Sequence, residues 1–288
     1  MITKVVIPAA GLGERLLPAT KEQPKELLPV FAESTKGELC VKPLLQLVFE
    51  QLFSVGIREF CFIVGRSKRA IEDHFTPDIP YLDRLLESGK KTRANELASF
   101  YSVIEKSTIH WINQPRASGF GHAVLLAKTF TGDQDFLVHA GDTFIITEGN
   151  WHLKRCMDRK INENDSATLV VRKVKDSRRF GVIRSRRLGN GDHLVLEAIE
   201  KPDKFVSNLA LMPAYVFDSS IFEALRKVKP GVGGEIWLTD GIQRLVSMGK
   251  KVGAIELPKD NIWIDVGTPE SYWEAQELTY KLFSGHPK

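Results

Sequence analysis

Between residues 4 and 145, short β-branched and aromatic runs alternate with stretches of helical periodicity, and this alternation restricts the fold more than any other feature. KVVIPA (4–9) leads, past a glycine loop and a proline-rich stretch, to KPLLQLVFEQLFSVG. There Leu44, Leu45, Leu47, Val48, Leu52 and Val55 make a broad apolar helical face that ends at Gly56. EFCFIVG then predicts a strand, SKRAIEDHF a helix, 80–105 a charged helical segment, IHWIN a strand, GHAVLLAKTF a helix and DFLVHAGD a strand. This rhythm predicts an α/β fold with a mostly parallel, doubly wound sheet and helices on both faces. From Ala167 the texture changes. ATLVVRKV, FGVIRS, HLVLEAIEK and ALMPAYVF are closely spaced strands divided by Gly, Asn and Asp turns, which predict a second, smaller and partly antiparallel region packed on the first. Helices near 219–228 and 236–248, the strands KVGAIEL and NIWID, and a helix from Pro269 complete the chain. No flexible linker divides it, so one domain over 1–288 is expected, with a cleft between lobes of about 1–150 and 151–288.

Composition narrows the function classes. The 288 residues are 43% hydrophobic and 26% charged, too apolar for disorder. A net charge of +4, with the basic residues scattered, argues against nucleic acid but leaves room for a local pocket that takes a phosphorylated small molecule. Cys40, Cys61 and Cys156 are odd in number and widely spaced, which suggests neither a disulfide framework nor a zinc site. No signal-peptide pattern precedes KVVIPAA and no apolar run reaches membrane-spanning length, so a cytoplasmic protein without membrane contact is expected.

The loop AAGLGERLLP carries the first chemistry. Gly11 and Gly13 with Leu16 give G-x-G-x-x-L, which lacks the third glycine of the dinucleotide fingerprint, and no P-loop pattern follows. Its N–H groups, with Arg15, Lys21 and Lys25 close by, suit a polyphosphate, whereas a glycine pair alone would equally make a tight turn. Asp142 and Asp265 each end a predicted strand, where open α/β sheets hold ligands, although strand-end aspartates also serve turns and helix caps.

The stretch PAAGLGERLLPATKEQPKELLPV, with Lys42 and Pro43, resembles the signature of the sugar-1-phosphate nucleotidyltransferases, a Rossmann-like fold. Its T-K-x-x-P-K-E part is similar to the prokaryotic UTP:glucose-1-phosphate uridylyltransferase branch. NQPRASGFGHAV, AGDTF, RRFGVI, EKP, GGEIWLTDGI and WIDVGTPESY follow in the family's order over nearly the whole chain. The resemblance implies that Ala9, Ala10, Gly11, Gly13 and Glu26 wrap a nucleoside triphosphate, with Arg15 on its phosphates and Lys25 where the reacting phosphates meet. It places Gln114 and Gly119 on the uracil edge, Gly181 and Glu200 on glucose hydroxyls, Lys201 on the sugar's phosphate, and Asp142 with Asp265 on Mg²⁺. Glu14 departs from the family's Thr or Ser and is expected to point away from the phosphates. His122 is expected to be structural, and GGEIWLTDGI to serve packing or subunit contacts.

The implied reaction joins UTP and glucose 1-phosphate into UDP-glucose and pyrophosphate, with a dimer or tetramer as the implied assembly. Three alternatives stay open at this stage. A thymidylyltransferase making dTDP-glucose would prefer dTTP, a non-catalytic nucleotide-sugar sensor would release no pyrophosphate, and a nicotinamide-dependent dehydrogenase would bind NAD.

Overall fold

The computed structural model describes residues 1–285; residues 286–288, included in the expected domain, lie outside the described residues. In chain order the first half holds β1 (Lys4–Ala9), β2 (Pro29–Glu33), β3 (Leu39–Pro43), α1 (Leu44–Ser54), β4 (Glu59–Val64), α2 (Arg69–His74), α3 (Ile79–Glu87), α4 (Lys91–Glu105), β5 (Thr108–Asn113), α5 (Phe120–Leu126), α6 (Lys128–Thr131), β6 (Phe136–His139) and β7 (Thr143–Ile146). The second holds α7 (Trp151–Asn162), β8 (Ala167–Lys173), β9 (Gly181–Arg187), β10 (His193–Glu200), β11 (Leu209–Phe217), α8 (Ser220–Arg226), α9 (Leu238–Ser247), β12 (Val252–Leu257), β13 (Ile262–Asp265) and α10 (Pro269–Phe283).

Among the described residues, nine strands form one sheet in the order β5-β4-β1-β6-β11-β8-β12-β10-β9. The β5, β4, β1 and β6 strands run parallel, as the alternating rhythm requires. The later strands are partly antiparallel, as expected. They do not form a sheet packed on the first, however: β11 pairs antiparallel with both β6 and β8, so the second region extends the same sheet edge to edge. Side chains alternate across it. Val5 and Ile7 of β1 join Phe60, Phe62 and the buried face of α1 in one core, while Val6, Cys61 and Ile63 join α5, α8 and α9 in the other. Helices therefore cover both faces.

Two small sheets flank the large one. The hairpin β2–β3 packs under α10, and β13 pairs antiparallel with β7 in a register that sets Asp265 opposite Thr143. That pairing brings the two ends of the chain's chemistry together, because Asp265 then lies beside Asp142, and the Val266 N–H donates to the Asp142 carbonyl at 3.3 Å. Among the described residues no helix is long and apolar enough to cross a membrane.

Candidate active site

A cavity of about 470 Å³ opens at the carboxyl ends of the parallel strands β1, β5 and β6, the place where open α/β sheets take ligands. The chain leaves β1 through Ala10 and Gly11 and turns at Gly13, whose φ of +68° is left-handed. Thr20 locks that turn by donating its hydroxyl to the Gly13 carbonyl at 2.7 Å. Gly11 is different: a Cβ there would meet nothing closer than Lys25 Cε at 3.6 Å, an ordinary contact. The protein has room for a side chain at Gly11, so its absence widens the cavity and relieves no clash. Ala10, Gly11, Gly13, Glu14, Arg15, Lys25, Glu26, Gln114, Gly119 and Asp142 all line this space. Ala9 does not; its side chain is packed in the core, which leaves only its backbone to a ligand.

The charges are arranged in pairs. Lys25 Nζ lies 2.5 Å from Asp142 Oδ2. The Asp142 charge raises the Lys25 pKa above its ordinary value against the effect of burial. Burial would raise Asp142, but the Lys25 ammonium and hydrogen bonds from the backbone and Thr143 together hold the carboxyl below its usual value. Asp265 goes the other way: burial raises it first, and the neighbouring Asp142 charge raises it further. A Cβ on Gly267 would stand 3.0 Å from the Arg15 guanidinium and 3.1 Å from the Asp265 carboxylate, so these two groups share the rim beside that glycine. Below them Glu26 and Lys68, both buried, form an ion pair of 2.9 Å, and burial raises the Glu26 pKa. Sequence reasoning missed Lys68, because a single lysine in VGRSKRA carries no pattern that reveals its partner.

Gln114, at the end of β5, is buried, and its Nε2 reaches the Gly119 carbonyl at 3.2 Å and His122 Nδ1 at 2.9 Å. Gly119 has φ +96°, and a Cβ there would come within 2.6 Å of the Ile236 carbonyl oxygen. The Ile236 backbone is bonded to the same loop, donating to the Ser118 carbonyl at 2.8 Å and accepting from the Gly121 N–H at 2.9 Å.

The segment that follows reaches a second cluster. Thr239 donates to Glu200 Oε2 at 2.6 Å, and a Cβ on Gly181 would lie 2.6 Å from that hydroxyl oxygen and 2.9 Å from that carboxylate oxygen. Lys201 has φ +40°, and its ammonium sits 4.9 Å from the centre of the Trp237 ring. Gly181, Glu200 and Lys201 thus meet one another but stand outside the first cavity, joined to it by residues 235–239. GGEIWLTDGI was expected to serve packing or subunit contacts, and its Thr239 and Trp237 pack directly against Glu200 and Lys201. Their signal was in the sequence, since the motif matched the family alongside EKP.

The model of the nucleotidyl transferase family matches residues 4–281, nearly the whole chain. The chain belongs to this nucleotidyl transferase family. It is 39% identical over 248 residues to a Bacillus subtilis UTP–glucose-1-phosphate uridylyltransferase, covering 85% of this chain and 80% of the relative. A UDP-glucose pyrophosphorylase solved in complex with UDP-glucose superposes with a TM-score of 0.84 at 30% identity, covering 98% of this chain and 100% of that one. A UTP-bound UGPase from Acinetobacter baumannii gives 0.84 at 29% identity, over 100% of this chain and 95% of that one. As a nucleotidyl transferase, the chain needs cations near the phosphates and a reader of the base, and the cavity offers candidates for both.

Proposed function

We propose that this nucleotidyl transferase joins UTP and glucose 1-phosphate into UDP-glucose and pyrophosphate. The observation that carries the reading is the convergence of Arg15, Lys25, Asp142 and Asp265 at one end of a cavity that Gln114 lines. The relatives named for the same activity support it.

In this reading Ala9, Ala10, Gly11, Gly13 and Glu26 form the nucleotide cradle, and Gln114 with Gly119 meets the uracil edge. Arg15 faces the triphosphate, and Lys25 swings from Asp142 to the phosphates that react. Gly181 and Glu200 take glucose hydroxyls, while Lys201, its charge steadied on the Trp237 face, holds the sugar's phosphate. A phosphate oxygen of glucose 1-phosphate attacks the α-phosphorus of UTP in line, and the bond to the β-phosphate breaks with pyrophosphate as leaving group. The attacking oxygen is already anionic, so the residues act by positioning and charge neutralisation.

A divalent cation fits the remaining pair. Burial and then the neighbouring Asp142 charge raise the Asp265 pKa, and a hard cation held by the two carboxylates would relieve both penalties. Asp142 and Asp265 would hold Mg²⁺, which would supply positive charge against the phosphates. A cytoplasmic homo-oligomer, with a nucleotide lobe over about 1–150 and a sugar-phosphate lobe over about 151–288, completes the reading. Pyrophosphate release, measured with Mg²⁺, glucose 1-phosphate and each nucleoside triphosphate in turn, tests it. UTP is expected to give the highest kcat/KM; a higher value with dTTP or CTP overturns the uridylyl assignment.

A further inference from the structure

His122 was expected to be structural, yet it touches the side chain assigned to the base. The Gln114 amide has two N–H donors and one carbonyl oxygen, and its orientation is decided by its neighbours. The Gly119 carbonyl, 3.2 Å from Nε2, can only accept. Turning the amide over would set two oxygens against each other, so Nε2 must face Gly119. The second proton of Nε2 then points to His122 Nδ1 at 2.9 Å, which must act as the acceptor, and the neutral ring carries its proton on Nε2. Both donors of the amide are thereby spent inside the protein. Oε1 has no hydrogen-bond partner among the described residues, while Gln114 lines the cavity.

From this geometry we infer that His122 is a positioning residue for nucleotide selection: together with the Gly119 carbonyl it fixes Gln114 so that only an acceptor oxygen faces the base. The inference rests on the reading that Gln114 meets the base edge. A fixed acceptor suits a pyrimidine that carries a hydrogen on N3, as uracil and thymine do. Cytosine in the same register presents a lone pair at N3, so two acceptors face each other and a buried polar group is left unpaired. A contact of this kind rejects the wrong base more strongly than pocket shape does. It cannot separate uracil from thymine, whose edges are identical there.

The backbone explains why the arrangement holds still. His122 lies in the first turn of α5, and that turn and the loop before it are pinned to Ile236 by one backbone hydrogen bond each, through Gly121 and Ser118. Gly119 is packed so closely on Ile236 that no side chain fits, which fixes where its carbonyl points. Gln114 is anchored separately, its N–H donating to the Val64 carbonyl at 2.7 Å at the end of β4.

The test measures kcat/KM for UTP, dTTP and CTP with glucose 1-phosphate in the full-length protein and three variants. In His122→Ala the amide loses one of its two anchors and can turn. The UTP:CTP and dTTP:CTP ratios are expected to fall together by about tenfold, the worth of one hydrogen bond. His122→Asn, whose Oδ1 stands where Nδ1 stood, is expected to restore them. Gln114→Leu is expected to abolish the preference. If Gln114→Leu loses the preference but His122→Ala keeps the normal ratios, the inference on His122 is overturned. A fall of UTP and CTP in equal proportion in His122→Ala, or failure of His122→Asn to restore the ratios in a folded protein, also overturns it. If Gln114→Leu itself leaves the ratios unchanged, the base reading fails, and the inference with it.

Discussion

Asp142 and Asp265 are neighbours with opposite electrostatic situations, so substituting each by Asn separates function from stability. Asp142 is held ionised by Lys25, and its loss leaves a half-buried ammonium without its closest partner. Asp142→Asn is expected to destabilise the fold by about 2 kcal/mol, the scale of a hydrogen bond to a charged group. Burial and the Asp142 charge both disfavour the ionised form of Asp265, so Asp265→Asn removes a cost and is expected to raise Tm by on the order of 2 °C. Turnover should collapse in both. Thermal melts combined with a pyrophosphate assay check the pair. Equal signs of the two Tm shifts would contradict the charge arrangement, and normal turnover at low Mg²⁺ would remove the metal role of the residue concerned. Strand-end position alone made these two aspartates candidates, and only the family resemblance paired them on one cation. Their proximity depends on the register of β13 against β7, and an antiparallel pairing between segments more than a hundred residues apart leaves no local trace.

Among the elements, those with a clean period were legible and those carrying a conflicting signal were not. The face of α1 and the alternation of β1 and β4 were visible because their inward positions are mostly apolar, with Gln46 and Gln51 the buried exceptions on α1. The β2–β3 hairpin was hidden by Pro29 and Pro43 at its paired ends, since proline reads against a strand unless the strand is at an edge. Helix α7 was hidden by charge: Arg159 and Lys160 lie buried among Leu153, Cys156 and Met157 and break the apolar pattern. Arg159 is fully buried and pairs with Asp165 at 3.0 Å and with Asp192 at 2.7 Å, tying α7 to the start of β8 and to the turn before β10. Arg159→Met fills the volume but removes the cation the two carboxylates share, leaving Asp192 to Arg155 and Asp165 to Lys251 and Thr168, and is expected to cost about 3 kcal/mol, the lower end for breaking a buried pair. Urea unfolding should show that loss while kcat of the folded fraction stays normal, because no atom of this cluster lines the cavity. A variant as stable as the parent would mean that the network contributes nothing to holding α7.

For the molecule as a whole, three inward-facing histidines set the acid limit. Burial lowers the pKa of His74 and His139 to about 4 and that of His152 to about 3, from 6.5. The unfolded chain takes up protons on these rings as the pH falls through 6.5, whereas the folded protein refuses them until near 4. The unfolded state therefore binds more protons in that window, and stability falls as the pH drops through it. The urea midpoint should decline from pH 7 to pH 4.5, and His139→Asn should decline less steeply; parallel slopes would show that His139 titrates normally in the folded protein. The single sheet carries a further consequence for synthesis. Strand β12 is among the last made, yet it lies inside the sheet between β8 and β10, and β6 finds its outer neighbour only when β11 has been translated. A nascent chain that has just completed β11 consequently carries an open slot bordered by unpaired backbone, and it keeps that slot until residue 257 has left the ribosome. Stalled or truncated translation products ending in that interval expose two strand edges to any neighbouring chain, so the hazard of aggregation falls on the newly made protein far more than on the finished one.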